Sequence, residues 1–144
     1  MNTTNSRGVR TLAIAIGFAG PMMVSLALWG ADVKVMLSGD QEVPPVTTTA
    51  KGSGTLMFGN DKTVSGSVTT TGVNGTAAHI HEAAPGKSGG VIIPLVKDGD
   101  GKWNVPAGAK LTDAQETAYK AGNLYVNVHS DAHKDGEIRG QIKP

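Results

Sequence analysis

The chain contains no cysteine among its 144 residues. This absence excludes a thiol nucleophile, a zinc–thiolate site and a blue-copper centre, since each of these needs a cysteine thiolate. It also excludes disulfides and a lipid attached to an N-terminal cysteine. A domain of about 115 residues is nevertheless long enough to bury a sufficient core without cross-links.

An excess of charge of one sign is also missing. The chain has 13 Lys and Arg residues and 12 Asp and Glu residues, for a formal net charge of +1. Without Arg7 and Arg10 the balance is 11 basic against 12 acidic residues, a net charge of −1. A nearly neutral domain is not expected to bind nucleic acid, which requires a basic patch.

The first 31 residues contain no acidic residue at all. Arg7 and Arg10 precede an uncharged, largely apolar stretch over residues 11–30, a pattern typical of a secretory signal peptide. An apolar run of this length also suits a retained membrane anchor. Residues 1–31 are therefore predicted to be a signal peptide or an N-terminal membrane anchor. The domain of residues 32–144 is predicted to be periplasmic or secreted, with the membrane contacted only through an uncleaved leader.

Alternating β–α units are missing from the remainder, which is rich in Val, Thr and Gly. Turn signals such as Pro85-Gly86, Asp98-Gly99 and Asp135-Gly136 recur at short intervals. This spacing predicts an all-β fold, a Greek-key β-sandwich. The candidate strands cover residues 33–37, 54–58, 64–70, 77–82, 91–96, 124–129 and 137–142.

One short helix is predicted over residues 112–121. Thr112 can act as its N-cap with Gln115 three residues later, which is a capping-box pattern. Gly122 can end the helix in a left-handed conformation. An irregular crossover loop is the alternative for this segment.

The four histidines of the chain lie in two short segments. In the first, the two-residue period of a strand puts His79 and His81 on one face and Ile80 on the other. In the second, the same alternation puts His129 on the polar face of its strand, and His133 follows in a loop. If the two strands are neighbours, all four imidazoles can converge.

Neutral imidazole is a good ligand for copper, zinc and nickel. Affinity among divalent ions favours copper, and a chain without thiols cannot use sulfur to select zinc. We therefore predict a copper site, with zinc as an alternative, whose ligand core is His79, His81 and His129 with His133 as an optional fourth. Ligands bind at about 2 Å, so the ring nitrogens should lie within about 4 Å of one another. The alternatives are surface histidines, or a pair of histidines that donate hydrogen bonds to backbone carbonyls.

Other polar and sulfur-containing side chains give weaker signals. Glu82 has strand parity opposite to His81 and is expected to be solvated. Asp131 and Asp135 can orient a ligand ring or simply form a turn. Met36 and Met57 can bind Cu(I) as thioethers, although methionines in strands are more often core residues.

Four segments carry a resemblance to a known family. They read LSGDQEVPPV at 37–46, AHIH at 78–81, LYVNVHS at 124–130 and GEIRGQI at 136–142. In this order they resemble the CHRD domain, which is repeated in the animal protein chordin and occurs singly in bacterial exported proteins. The resemblance covers about residues 33–142. It implies an immunoglobulin-like or superoxide-dismutase-like β-sandwich, and it implies no settled activity.

A more distant likeness concerns copper/zinc superoxide dismutases, which also carry an H-x-H strand and a later strand that ends in a copper-ligand histidine. Their disulfide has no counterpart here. Arg139 could guide an anion, as a dismutase requires, or form an ion pair with Glu137. Three functions stay open: an exported copper-binding protein, a metal-free interaction module with an envelope protein as partner, and a copper-only dismutase. Fold-level analogy cannot decide among them.

Overall fold

A computed structural model describes residues 30–144. Apart from its last two residues, the predicted leader (1–31) lies outside the described residues. None of the helices within residues 30–144 combines the length and the apolar character that a membrane crossing requires.

Within residues 30–144 the fold is a single antiparallel sheet of nine strands with one α-helix. The helix, α1, spans Asp113–Lys120, and a 3-10 turn spans Gly39–Gln41. The strand order is β5-β4-β8-β9-β1-β2-β3-β7-β6. The strands are β1 (Ala31–Ser38), β2 (Lys51–Phe58), β3 (Val64–Thr71), β4 (Gly75–Glu82), β5 (Val91–Pro94), β6 (Val96–Lys97), β7 (Lys102–Asn104), β8 (Leu124–Ser130) and β9 (Ile138–Ile142).

The sheet folds onto itself and encloses one hydrophobic core. Alternate residues of β1, β2 and β3 face residues of β4, β8 and β9, and the fully buried members include Val35, Leu56, Ile80, Val126 and Ile138. This alternation of buried and exposed residues is what a two-layer sheet requires. The predicted all-β sandwich with one short helix is confirmed.

The segment of residues 91–97 nearly closes the sheet. The sequence predicts one strand here, but the strand is interrupted at Leu95 and the segment forms two. β5 pairs with β4, while β6 pairs with β7 at the other end of the strand order. Leu95 is buried between the two strands, and its amide donates a hydrogen bond to the carbonyl of Ala78 (2.9 Å). One segment thus contributes a strand to each end of the sheet.

The helix follows its sequence signals. The Gln115 amide donates to Thr112 Oγ1 (3.2 Å) and the Thr112 amide donates to Gln115 Oε1 (2.9 Å), so the capping box forms. Tyr119 packs against Phe58 of β2 with 4.0 Å between the ring centroids. Gly122 follows with a positive φ of 74°. The predicted helix is confirmed.

The prediction that Met36 and Met57 are core residues is wrong. Met36 and Met57 are 68% and 45% exposed, on the outer faces of β1 and β2. The register pairs Met57 with Asp32, four residues from Met36 along β1. That separation is about 13 Å, so the two thioethers do not share an ion.

Candidate metal centre

The pairing of β4 with β8 determines which side chains meet outside the hydrophobic core. In this register His79 lies opposite Asn127, His81 opposite Tyr125, and Ala77 opposite His129. Side chains of paired residues project to the same side of a sheet, so the histidines of both strands share one face. Ile80, on the other face, is fully buried in the core.

Three of the four histidines come together on this face. One ring nitrogen each of His79, His81 and His129 lies within 4.8 Å of the other two, a group that could hold a metal ion. His79 Nδ1 is 3.0 Å from His129 Nε2. Two ligands at about 2 Å from one ion are separated by at most about 4 Å. The His79–His129 pair meets this limit, although the two nitrogens are hydrogen-bonded to each other here. Binding therefore requires the proton of His79 Nδ1 to leave and the remaining ring to move inward.

Backbone carbonyls orient two of the rings. His81 Nδ1 is 3.0 Å from the carbonyl oxygen of Gly89, and His129 Nδ1 is 2.8 Å from that of Lys134. A carbonyl oxygen only accepts hydrogen bonds, so each Nδ1 carries the proton and each Nε2 keeps a lone pair. In a metal-binding histidine, the N–H of the ring nitrogen that does not bind the ion ordinarily donates a hydrogen bond in this way.

The environment favours neutral imidazoles. Burial lowers the pKa of His79, and the neighbouring His129 and His81 lower it further. Burial also lowers the pKa of His81, more than its hydrogen bond to Gly89 raises it. Metals bind the neutral ring, so both shifts favour the form that can act as a ligand.

His133 lies outside this group. Its backbone exchanges hydrogen bonds with Ser130 (3.2 Å each), and its side chain borders a different cavity, of about 230 Å³, with Glu42 and Pro44.

Asp131 and Asp135 are exposed. The second contact of His129 therefore comes from the Lys134 carbonyl rather than from either acid. Glu82 is exposed, as predicted from its strand parity.

Arg139 forms neither of the predicted interactions. It is 2% exposed and its guanidinium donates to the carbonyls of Lys87 (2.6 Å) and Ala84 (3.4 Å). It also lies over the Tyr125 ring, 3.5 Å from the centroid. Because it is buried and bound to these carbonyls, the guanidinium is not positioned to guide an anion. Glu137 instead accepts hydrogen bonds from Thr48 and Ser130.

Two buried polar residues beside the histidines were missed by the sequence analysis. Asn127 is 2% and Glu42 6% exposed. Burial raises the pKa of Glu42 to about 6, against opposing contributions from Arg139 and Asn127. Strand alternation already puts Asn127 on the polar face, so its position was available from the sequence. The position of Glu42 could not be predicted from the sequence, because a loop places it next to β8.

Comparison with known families gives a match to the CHRD domain. The CHRD domain matches residues 33–142, which is most of the chain. No match was found among curated proteins or among solved structures.

Proposed function

The chain belongs to the CHRD domain family, and from this membership and the three-histidine group we propose that it is an exported protein that binds copper in the cell envelope. The observation that carries the proposal is the approach of one ring nitrogen each from His79, His81 and His129 to within 4.8 Å. CHRD domains are typically extracellular, which supports a role outside the cytoplasm.

The donor set favours copper. The three ligands are imidazole nitrogens, and affinity for such sites rises along the divalent series to a maximum at copper. Zinc also accepts tetrahedral nitrogen sites and is the competing ion. Because the protein has no cysteine, a thiolate does not bias the choice toward zinc. Buffering or transfer of the ion requires no further chemistry from the protein.

Isothermal titration of the purified protein with Cu(II), Cu(I) and Zn(II) tests the proposal. We expect one ion per chain and an affinity for copper above that for zinc. His81→Ala should weaken binding by at least about tenfold, since it removes a ligand that two neighbouring contacts hold in place. His133→Ala is the matched control and should change affinity less than about threefold. Absence of binding, or equal losses in both variants, would contradict the proposal.

The affinity should depend on pH. A proton and a metal ion compete for the same imidazole lone pair, and a free imidazole protonates near pH 6.5. The pKa values of His79 and His81 are lowered by burial, so protonation of these rings should weaken binding only below pH 6.5. Titrations between about pH 5 and 7.5 measure the profile. A loss of affinity centred above pH 7 would contradict this expectation.

Export is a separate part of the proposal. It is supported by Arg7 and Arg10 before the apolar residues 11–30. Cell fractionation should recover the protein in the envelope or the medium, either without its leader or with the leader in the membrane. A full-length soluble cytoplasmic protein would contradict export.

The second candidate function is a metal-free interaction module with an envelope protein as partner. Membership of a typically extracellular family favours it independently of the histidines. The titration separates the two candidates, because the interaction module predicts no binding of any of the three ions.

A further inference from the structure

Asn127 occupies the middle of the histidine face. It lies opposite His79 in the β4–β8 register and two residues before His129 on the same face of β8. Its side chain is 98% buried, and its Oδ1 has no hydrogen-bond partner among residues 30–144. A buried carbonyl oxygen without a donor is unusual in proteins and points to a missing ligand.

The environment of Asn127 indicates how its amide is turned. The side chain contacts Glu42 on one side, and both Glu42 Oε1 and Asn127 Nδ2 crowd Gly136, where an added Cβ would meet both atoms. A carboxylate accepts hydrogen bonds, so the amide NH₂ is the group that faces Glu42. Asn127 also lies next to the His81 ring. With the NH₂ toward Glu42, Oδ1 faces the histidines.

His81 Nε2 provides a second unpaired atom at the same place. It too is buried without a hydrogen-bond partner among the described residues. A lone pair on nitrogen and a lone pair on oxygen cannot satisfy each other, because neither atom carries a proton. A cation between them satisfies both.

We propose that Asn127 Oδ1 is the fourth ligand of a divalent ion held by His79, His81 and His129, and that Glu42 orients the Asn127 amide. The inference rests on the proposed metal-binding function. Three nitrogens and one oxygen suit Cu(II) or Zn(II). Cu(I) favours soft ligands, so it gains little from an amide oxygen. Asn127 therefore selects the divalent state of the ion.

The test compares Asn127→Leu with Asn127→Asp in the full chain. Leucine is close to asparagine in size and removes the oxygen, whereas aspartate keeps an oxygen and adds a negative charge. Affinities for Cu(II), Zn(II) and Cu(I) are measured by competition with chelators of known affinity. We expect Asn127→Leu to weaken Cu(II) and Zn(II) binding at least about tenfold and Cu(I) binding less than about threefold.

Asn127→Asp should raise the ratio of Cu(II) to Cu(I) affinity above that of the unaltered protein. The ratio is informative even if either variant is less stable, because a loss of folded protein lowers the measured affinities for Cu(II) and Cu(I) equally. Equal losses for Cu(II) and Cu(I) in both variants would make Asn127 merely structural and overturn the inference. An unchanged Cu(II) affinity in Asn127→Leu would also overturn it. That result would mean that water, and not the ion, satisfies Oδ1 in the unaltered protein.

His81→Ala separates this inference from the proposed function. If the unaltered protein binds copper and His81→Ala loses it while Asn127→Leu does not, the three-histidine site stands and the fourth ligand is wrong. If the unaltered protein binds none of the three ions, the proposed function itself is wrong.

Discussion

Glu42 is a carboxyl group held in a buried position beside Asn127 and Arg139. Burial raises its pKa to about 6, although Arg139 and Asn127 partly oppose the shift. An unfolded glutamate loses its proton near the ordinary pKa of 4.5. Between pH 4.5 and 6 the folded protein therefore holds a proton that the unfolded chain has released. In this window the contribution of Glu42 to stability falls as the pH rises.

We expect Glu42→Gln to remove this pH dependence. A glutamine is neutral at every pH, so the free energy of unfolding of the variant should rise relative to the unaltered protein by about 2 kcal/mol between pH 4 and 7. Denaturant titrations of the metal-free proteins at several pH values measure the difference. His79 and His81 are the same in both proteins, so their opposite pH dependence cancels. A difference that does not change with pH would contradict the assignment.

The histidine site shows how far single residues can be predicted from the sequence. The two-residue period of a strand was sufficient to place His79, His81 and Ile80 on their correct faces. The same period could have identified Asn127, but a buried amide has no distinctive sequence signal. The position of His133 depends on the path of a loop, which the strand period does not describe.

At the scale of elements, the loop between β4 and β5 orients the His81 ring of the candidate metal site. Gly89 accepts a hydrogen bond from His81 Nδ1 and donates its own amide proton to the Tyr125 hydroxyl (3.2 Å). Arg139 binds the same loop through the Lys87 carbonyl and stacks on Tyr125. Tyr125 in turn stacks on His81, with 4.8 Å between the ring centroids. The loop and the His81 ring are thus held as one unit.

Two adjacent glycines in this loop offer a matched pair of variants. An added Cβ at Gly89 would overlap with the carbonyl of Glu82, whereas one at Gly90 would meet nothing within 4 Å. Gly89→Ala must therefore displace the loop from His81, and we expect copper affinity to fall about tenfold or more, as for lost supporting contacts in other metal sites. Gly90→Ala should change it less than about threefold. Similar copper affinities of the two variants by isothermal titration would contradict the role of the loop.

Secondary-structure elements were predicted correctly where their sequence signals are local. The capping box at Thr112 and Gln115 formed as predicted because both partners lie within one helical turn. The strand β7 was missed because it has only three residues, Lys102–Asn104, and no room for a periodic pattern. The interruption at Leu95 was missed because residues 91–96 are continuously apolar and the change of pairing partner depends on tertiary structure.

At the scale of the whole molecule, the segment around Leu95 joins the two ends of the strand order, because β5 pairs with β4 and β6 pairs with β7. Leu95 is 8% exposed within the shared core, while its neighbour Val96 is 54% exposed. Lys97 extends the junction, since its Nζ donates to the Gly75 carbonyl (2.9 Å) on β4. A strand segment that serves both layers links them more firmly than a surface loop.

Leu95→Ala and Val96→Ala test this closure. Truncation of a buried leucine removes apolar contacts and leaves a cavity, so Leu95→Ala should lower the free energy of unfolding by about 3 kcal/mol. Val96→Ala, at an exposed position, should change it by less than about 1 kcal/mol. Denaturant titration measures both values. Equal small effects would indicate that Leu95 is not part of the core.

The central claim, that His79, His81 and His129 hold one copper ion, is tested most directly by the crystal structure of the copper-loaded protein, with diffraction data collected on both sides of the copper absorption edge. We expect one anomalous difference peak per chain, about 2 Å from a ring nitrogen of each of the three histidines. A peak at His133 or elsewhere, with none between these three rings, would contradict the account.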